Sequence, residues 1–150
     1  MMSHAAAFEL FARTRPMPCL IGPRAIKLAQ AVALHESSYG DGWDDACPAM
    51  VGSFNMGAIR GSPGHVCEDS HADGSSFTQS YRVYPSAEAG AAALWHELWR
   101  RPAVRRVLMD NALDVRSLAK AMRASGYFEQ AESIYVKALQ NAVKKIQGGT

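Results

Sequence analysis

No stretch of this sequence approaches the ~20 consecutive apolar residues of a membrane span, and neither sign of charge dominates it. Sixteen Lys and Arg stand against 14 Asp and Glu, a formal net charge of +2. That near balance, with the signs interleaved, argues against a dedicated nucleic-acid binder, which usually shows a basic stripe. It argues equally against an acidic, disordered tail protein. Cysteine is scarce: the 3 present are too few, and odd in number, for a disulfide framework. Cys47 and Cys67 flank one loop-rich stretch and would pair outside the cytosol; small buried thiols are the other reading. A basic leader is also missing. The opening MMSHAAAFELFARTRP has an apolar patch, but Glu9 interrupts it and no basic residue precedes it, so no signal peptide is expected. What is present is 48% apolar content in 150 residues. A chain of that size can bury roughly 68–70% of its unfolded surface without a metal or disulfide staple. A single domain spanning 1–150 is expected.

The pattern along the chain is helical, then irregular, then helical. Residues 4–13 read as a helix with Phe8, Phe11 and Ala12 on one side, ended by Pro16 and Pro18. Pro23 suits a first helical turn, and 23–38 keep helical period until Gly40, Asp41 and Gly42. From 41 to 76 Gly, Ser, Asp and Pro abound, and only Ser53–Arg60 and Phe77–Tyr84 read as short strands. Ser86 then caps a helix running to about Arg100, with Glu88 favourable in its first turn. Pro102 opens a shorter helix through Met109, and Asp114 caps another that Gly126 ends. The last helix carries the stripe Ala131, Ile134, Tyr135, Ala138, Leu139, Ala142 and Ile146. The expected fold is therefore mainly α (α+β), with a small β-like lobe inserted at about 41–84.

Glu36 is out of place among apolar neighbours. Ala25, Ala29, Val32 and Ala33 mark the inward face of the helix 23–38, and Glu36 continues it at i+4 from Val32. There a carboxylate meets desolvation and the adverse end of the helix dipole, and both favour its neutral form. A general acid working near neutral pH needs that. The alternative is an amphipathic Glu with a buried stem, or one paired with an Arg. Ser37, Ser38 and Gly40 follow, residues small enough to leave a cleft edge open. Ser53-Phe54-Asn55-Met56-Gly57 lies just beyond, an amide beside a glycine that lets backbone approach a ligand. Such groups suit polar, uncharged ligands such as amidosugars, although a lone Asn also serves ordinary turns.

The series A-L-H-E-S-S-Y-G, then S-F-N-M-G-A-I, resembles the lysozyme-like superfamily. It is most similar to lytic transglycosylases and the flagellar-type N-acetylglucosaminidases that cleave peptidoglycan. F-T-Q-S-Y-R-V-Y-P-S-A-E-A-G-A-A-A-L-W-H-E-L looks like the strand and helix after their β lobe. Gly126-Tyr127 and Tyr135 resemble the carboxyl-terminal tyrosine segment of the glucosaminidases. Together these pieces cover about 23–146. The resemblance implies a lysozyme-like fold and cleavage of β-1,4 bonds between N-acetylated amino sugars, with Glu36 as the catalytic acid. It implies that Ser53, Asn55 and Gly57 line the cleft, and that Tyr127 is a cleft tyrosine positioning the sugar, with Tyr135 the less favoured choice. Tyr135 also lies on the apolar stripe, where a core role is the plain reading.

A second carboxylate is commonly required for glycoside hydrolysis. Glu68, Asp69 and Asp73 are the candidates, with Asp69 slightly preferred and solvated loop charge the alternative. Lytic transglycosylases, as the resemblance implies, manage with one acid because the substrate's own hydroxyl attacks. His65, Cys67, Asp69 and His71 occupy alternate positions, but structural zinc sites usually show two separated ligand pairs. No metal and no cofactor are expected. His35 projects about 100° away from Glu36 around the helix, toward solvent or another helix. Trp95 and Trp99 read as core. Arg100, Arg101, Arg105 and Arg106 read as a solvated helix junction, or as attraction to anionic wall polymer. Cys19 has no activating base nearby in sequence. The expected partner is the peptidoglycan glycan strand, with no nucleic acid and no membrane, and the protein is expected to act as a monomer. Without a signal peptide, the expected routes to the wall are a phage or prophage lysin, a virion component or a delivered effector. A non-catalytic glycan-binding or structural phage-tail or secretion module on the same fold is the rival reading.

Overall fold

The computed structural model describes residues 1–43, 47–110 and 114–148. Among the described residues six helices carry the fold: α1 (His4–Thr14), α2 (Pro23–Ser37), α3 (Ala87–Trp99), α4 (Pro102–Met109), α5 (Val115–Ala124) and α6 (Glu132–Gly148). Between α2 and α3 lie a short 3-10 turn (Pro48–Met50) and a hairpin of β1 (Gly64–Ser70) and β2 (Ser76–Arg82). This is the α+β arrangement expected from the sequence.

Local chemistry accounts for most boundaries. Ser86 Oγ accepts from Ala89 N at 3.1 Å, and Asp114 Oδ1 accepts from Arg116 N and Ser117 N at 3.0 and 3.2 Å. These side-chain caps satisfy first-turn donors that a helix leaves unpaired. Pro23 and Pro102 open their helices, where the missing N–H is harmless. α2 stops at Ser37 because Ser38 and Tyr39 turn left-handed, at φ 48° and 61°.

The helices surround one large apolar cluster. Ala25, Ala29, Val32 and Ala33 are buried on α2, as their spacing implied. On α1 the buried residues are Ala7, Leu10 and Phe11, with Phe8 and Ala12 only partly covered. Trp95 is buried and donates to Phe11 O at 3.0 Å, tying α3 to α1. On α6 the buried stripe is Tyr135, Val136, Leu139, Ala142 and Val143; Ile134 is 59% exposed and Ala131 is exposed. The helical register thus sits slightly around from the expected stripe.

The inserted lobe has its own small cluster: Trp43, Cys47, Met50, Cys67 and Tyr81. Residues 44–46 of the expected lobe lie outside the described residues. β1 and β2 pair antiparallel, with Cys67 opposite Gln79 and Asp69 opposite Phe77. Sequence reading missed β1, whose composition is too polar for a strand packed on a core. The alternation of His65, Cys67 and Asp69, considered as a ligand cluster, is one face of that strand. Conversely, Ser53–Arg60 is not a strand. Phe54 and Ala58 are left-handed, at φ 55° and 51°, which breaks any extended run. Only Arg60 makes an isolated bridge, to Tyr81.

A disulfide joins Cys47 to Cys67, with Cα atoms 5.6 Å apart and a sequence separation of 20. It fastens the segment after Trp43 to the middle of β1. Closing a loop of that length stabilises by about 3 kcal/mol in the chain-entropy account. Cys67→Ser is therefore expected to lower the unfolding free energy by that amount, read as a lower denaturant midpoint. Adding a reductant to the wild type should reproduce the shift and leave the variant unmoved. Cys19 is free and exposed.

Candidate active site

α2 delivers Glu36 to the floor of a cleft of about 700 Å³ between the hairpin and the helical body. The cleft is walled on one side by Trp43, the Cys47–Cys67 bridge, Asp69 and His71, and on the other by Tyr127, Phe128, Arg100 and Arg101. Glu36 is half-buried at the last turn of its helix. Burial raises its pKa to about 7, against the opposing effect of a hydrogen bond from Tyr135. That hydroxyl donates to Glu36 Oε1 at 2.6 Å.

Tyr135 is held firmly. Phe128 stacks on its ring at 3.9 Å between centroids and His35 packs edge-on at 5.0 Å. His35 thus turns toward another helix, one of the two directions expected for it, and desolvation lowers its pKa. Desolvation and the nearby Glu36 push the Tyr135 phenol well up, so it stays a donor. The tyrosine less favoured from sequence is the one that reaches the carboxyl. Because the phenol favours the carboxylate form, its removal has a definite sign. Tyr135→Phe should raise the Glu36 pKa further and move the alkaline limb of any Glu36-dependent activity to higher pH. An unmoved limb would show that this hydrogen bond does not tune the acid.

Tyr127 lines the same cleft and donates to Gly57 O at 3.0 Å. Gly57 leaves room for that contact, since a Cβ there would lie 2.8 Å from the Tyr127 hydroxyl and 2.6 Å from Leu94 Cδ1. Arg101 lies 5.0 Å from the centre of the Tyr127 ring.

Asn55 and Ser53 stand elsewhere than the cleft-lining positions expected of them. Asn55 is fully buried, and its amide is engaged by backbone. Nδ2 donates to Ile59 O and Arg82 O, and Oδ1 accepts from Ile59 N, all at 2.9 Å. Ser53 Oγ accepts from Asn55 N at 3.2 Å, and Ser53 O accepts from Tyr84 N at 2.7 Å. Both residues shape the loop that presents Gly57. Ser37 and Gly40, read as an open cleft edge, are buried as well. Ser37 Oγ donates to Met56 O at 2.8 Å and accepts from Gly40 N at 2.9 Å, docking the end of α2 onto the same loop. The other face of that loop meets α3 at Gly90, where a Cβ would lie 2.0 Å from Phe54 O.

Asp69 faces the cleft from β1. Its Oδ2 accepts from the Tyr81 hydroxyl, and its Oδ1 accepts from Ser70 N at 2.8 Å. Burial and this carboxylate raise the Tyr81 pKa to about 12. Asp73 is engaged locally at the hairpin turn by Ser75. Of the four alternating residues weighed as metal ligands, Cys67 is in the disulfide; no group of three or more His, Cys, Asp or Glu is arranged to hold a metal among the described residues. His71 stacks on Phe77 and approaches Glu129 at 3.7 Å, linking the hairpin tip to the α5–α6 connection.

Sequence reading missed Trp43, which lines the cleft and donates to Asn55 O at 3.1 Å. Arg100 and Arg101, read from sequence as a solvated helix junction or as a site of attraction to anionic wall polymer, both reach the cleft.

The backbone resembles solved domains named as glycoside hydrolase, autolysin and peptidoglycan hydrolase over most of its length. A C-terminally truncated glycoside hydrolase domain of FlgJ from Salmonella typhimurium covers 98% of this chain and 97% of its own, at 18% identity and a TM-score of 0.61. The fold is lysozyme-like. The catalytic domain of the autolysin Auto from Listeria monocytogenes shares that lysozyme-like fold at 15% identity, covering 96% and 80% of the two chains, with a TM-score of 0.60. A peptidoglycan hydrolase from Sphingomonas sp. A1 matches at 21% identity over 84% and 88%, with a TM-score of 0.53. The sequence itself matches no family model and no curated protein. No helix among the described residues is long and apolar enough to cross a membrane.

Proposed function

We propose that the protein is a glycosidase that cleaves β-1,4 bonds between N-acetylated amino sugars of peptidoglycan, with Glu36 as general acid. The observation that carries this is a carboxyl on the floor of a polymer-sized cleft, with its pKa raised to about 7 and aligned by a tyrosine. Near neutral pH a large share of Glu36 is protonated and able to deliver its proton to the leaving glycosidic oxygen. The C–O bond breaks as that proton arrives, and positive charge grows on the sugar ring. Tyr127, backed by Arg101 and anchored on Gly57, offers a rigid wall for that ring, and buried Tyr135 serves by positioning Glu36.

Asp69 is our candidate for the second carboxylate. It lies in the same cleft, held in place by hydrogen bonds from the Tyr81 hydroxyl and Ser70 N. Attack by the substrate's own hydroxyl, as in lytic transglycosylases, is the alternative completion. The lysozyme-like fold, together with neighbours named as a glycoside hydrolase domain and as a peptidoglycan hydrolase, supports the substrate class, although a fold by itself hosts many activities. The disulfide supports action in an oxidising compartment such as the cell surface. Purified sacculi incubated with the protein are expected to release soluble muropeptides. Mass spectrometry then separates reducing ends, made by hydrolysis, from anhydro ends, made by internal attack. Binding without release would instead favour a non-catalytic glycan-binding module.

A further inference from the structure

At the junction of α3 and α4, two guanidinium groups share one carboxylate. Arg100 Nε and Nη2 reach Glu97 Oε2 at 3.1 and 3.0 Å, and Arg101 Nη1 reaches the same oxygen at 3.0 Å. Two positive charges against one leave a surplus of one at this end of the cleft, which Glu97, Arg100 and Arg101 all line. Their roles differ. Arg101 is the buried latch: its side chain is 13% exposed, it also donates to Glu97 O, and it lies against the Tyr127 ring. Its buried Nε has no hydrogen-bond partner. Arg100 is 50% exposed, so its remaining guanidinium donors face the cleft and solvent.

The hairpin wall carries an excess of the other sign, with Glu68 and Asp69 on β1. Arg60 also lines the hairpin side, where it bridges to Tyr81 and lies over the Phe77 ring, but the two carboxylates there outnumber it, so a ligand's negative group is favoured at the α3–α4 end. A planar guanidinium already oriented by one carboxylate presents its other edge as a fork that suits a second one.

From this arrangement, and resting on the glycosidase reading above, we infer that Arg100, oriented by Glu97 and backed by Arg101, is a subsite for a carboxylate carried by the glycan strand. The cleft thereby orients the polymer, placing its acid-bearing substituent on the α3–α4 side and its neutral amide- and hydroxyl-bearing edge toward the hairpin. Peptidoglycan can supply such a carboxylate from its stem peptide or from the lactyl ether of its acidic sugar.

The test measures binding and cleavage on three preparations of sacculi freed of secondary polymers. One is native, one has its carboxyls converted to neutral amides with carbodiimide and ethanolamine, and one has its stem peptides removed so that only lactyl carboxylates remain. Binding is measured with Glu36→Gln, to separate it from turnover, and with Glu36→Gln combined with Arg100→Ala or Arg100→Lys. Amidation should weaken binding of Glu36→Gln about five- to tenfold. Arg100→Ala should abolish that preference, and Arg100→Lys should keep part of it. Full binding to the peptide-free strands assigns the lactyl group, and weakened binding there assigns the stem peptide. Equal binding to native and amidated sacculi, or a preference that survives Arg100→Ala, overturns the subsite. Muropeptide release by the wild type is followed in parallel. Release without carboxylate preference leaves the glycosidase reading standing alone, whereas preference without release leaves the subsite and removes the glycosidase.

Discussion

Replacing Glu36 by Gln is expected to lower muropeptide release by about a thousandfold, the middle of the range for a positioned general acid. Glutamine keeps the shape of the side chain and can still accept the Tyr135 hydrogen bond, so the loss reports the missing proton. The same substitution has an opposite effect on stability, and its sign follows from the raised pKa. A carboxyl whose pKa lies near 4.5 when unfolded and about 7 when folded favours the folded state in its protonated form. That contribution is complete below pH 4.5 and is lost as pH rises through 7. At pH 8 the wild type therefore carries a burden on the order of 3 kcal/mol at most, by the conversion of 1.36 kcal/mol per unit. Glu36→Gln should unfold at a higher temperature than the wild type at pH 8 and at a similar temperature at pH 4. An inactive variant that is more stable only on the alkaline side distinguishes an acid under desolvation from a residue that merely holds the fold.

Asn55→Ala should cost about 2–4 kcal/mol of stability, seen as a lower denaturant midpoint at unchanged slope. The substitution leaves Ile59 N and Arg82 O without their Asn55 partner, while Ile59 O keeps its bond from Arg82 N, and each buried group left unsatisfied costs about 1–3 kcal/mol. Partial access to water reduces the sum. The two left-handed residues flanking this staple, Phe54 and Ala58, would lose what holds them in a sparsely populated conformation. Gly57 then loses its place under Tyr127, so activity is expected to fall with stability. Asn55→Asp separates the contributions, because its carboxylate can accept from Ile59 N but cannot donate to the two carbonyls. It should be at least as damaging as the alanine variant near neutral pH, where a charge is buried, and milder in acid.

What could be read in the sequence was what depends on near neighbours along the chain. Caps at Ser86 and Asp114, prolines at 23 and 102, and the inward phase of Glu36 on α2 all rest on contacts within a turn or two. The pairing of Cys47 with Cys67 was open to view because both flank the same irregular stretch. The functional weight of Asn55 was misplaced for a physical reason: one of its partners, Arg82 O, comes from β2, 27 residues away. A buried amide closing a turn and an amide lining a cleft look identical in one dimension. Tyr135 was harder still. Its place on an apolar stripe was legible and it is buried, but its hydroxyl meets a carboxyl 99 residues distant. β1 was hidden because its stability comes from the disulfide and from pairing with β2, while its own residues are mostly polar and exposed. Arg100 and Arg101 resembled an ordinary basic helix junction until the fold turned that junction toward the cleft.

The central claim is that Glu36 is a carboxylic acid at near-neutral pH, poised to give up a proton in the cleft. Glutamate labelled with carbon-13 at its side-chain carboxyl, followed by NMR from pH 3 to 9, tests it directly, with Glu36→Gln identifying the resonance. One carboxyl should titrate with a midpoint near 7, disappear in the variant and move upward in Tyr135→Phe. A Glu36 carboxyl that titrates near 4.5, like an exposed side chain, would contradict the claim.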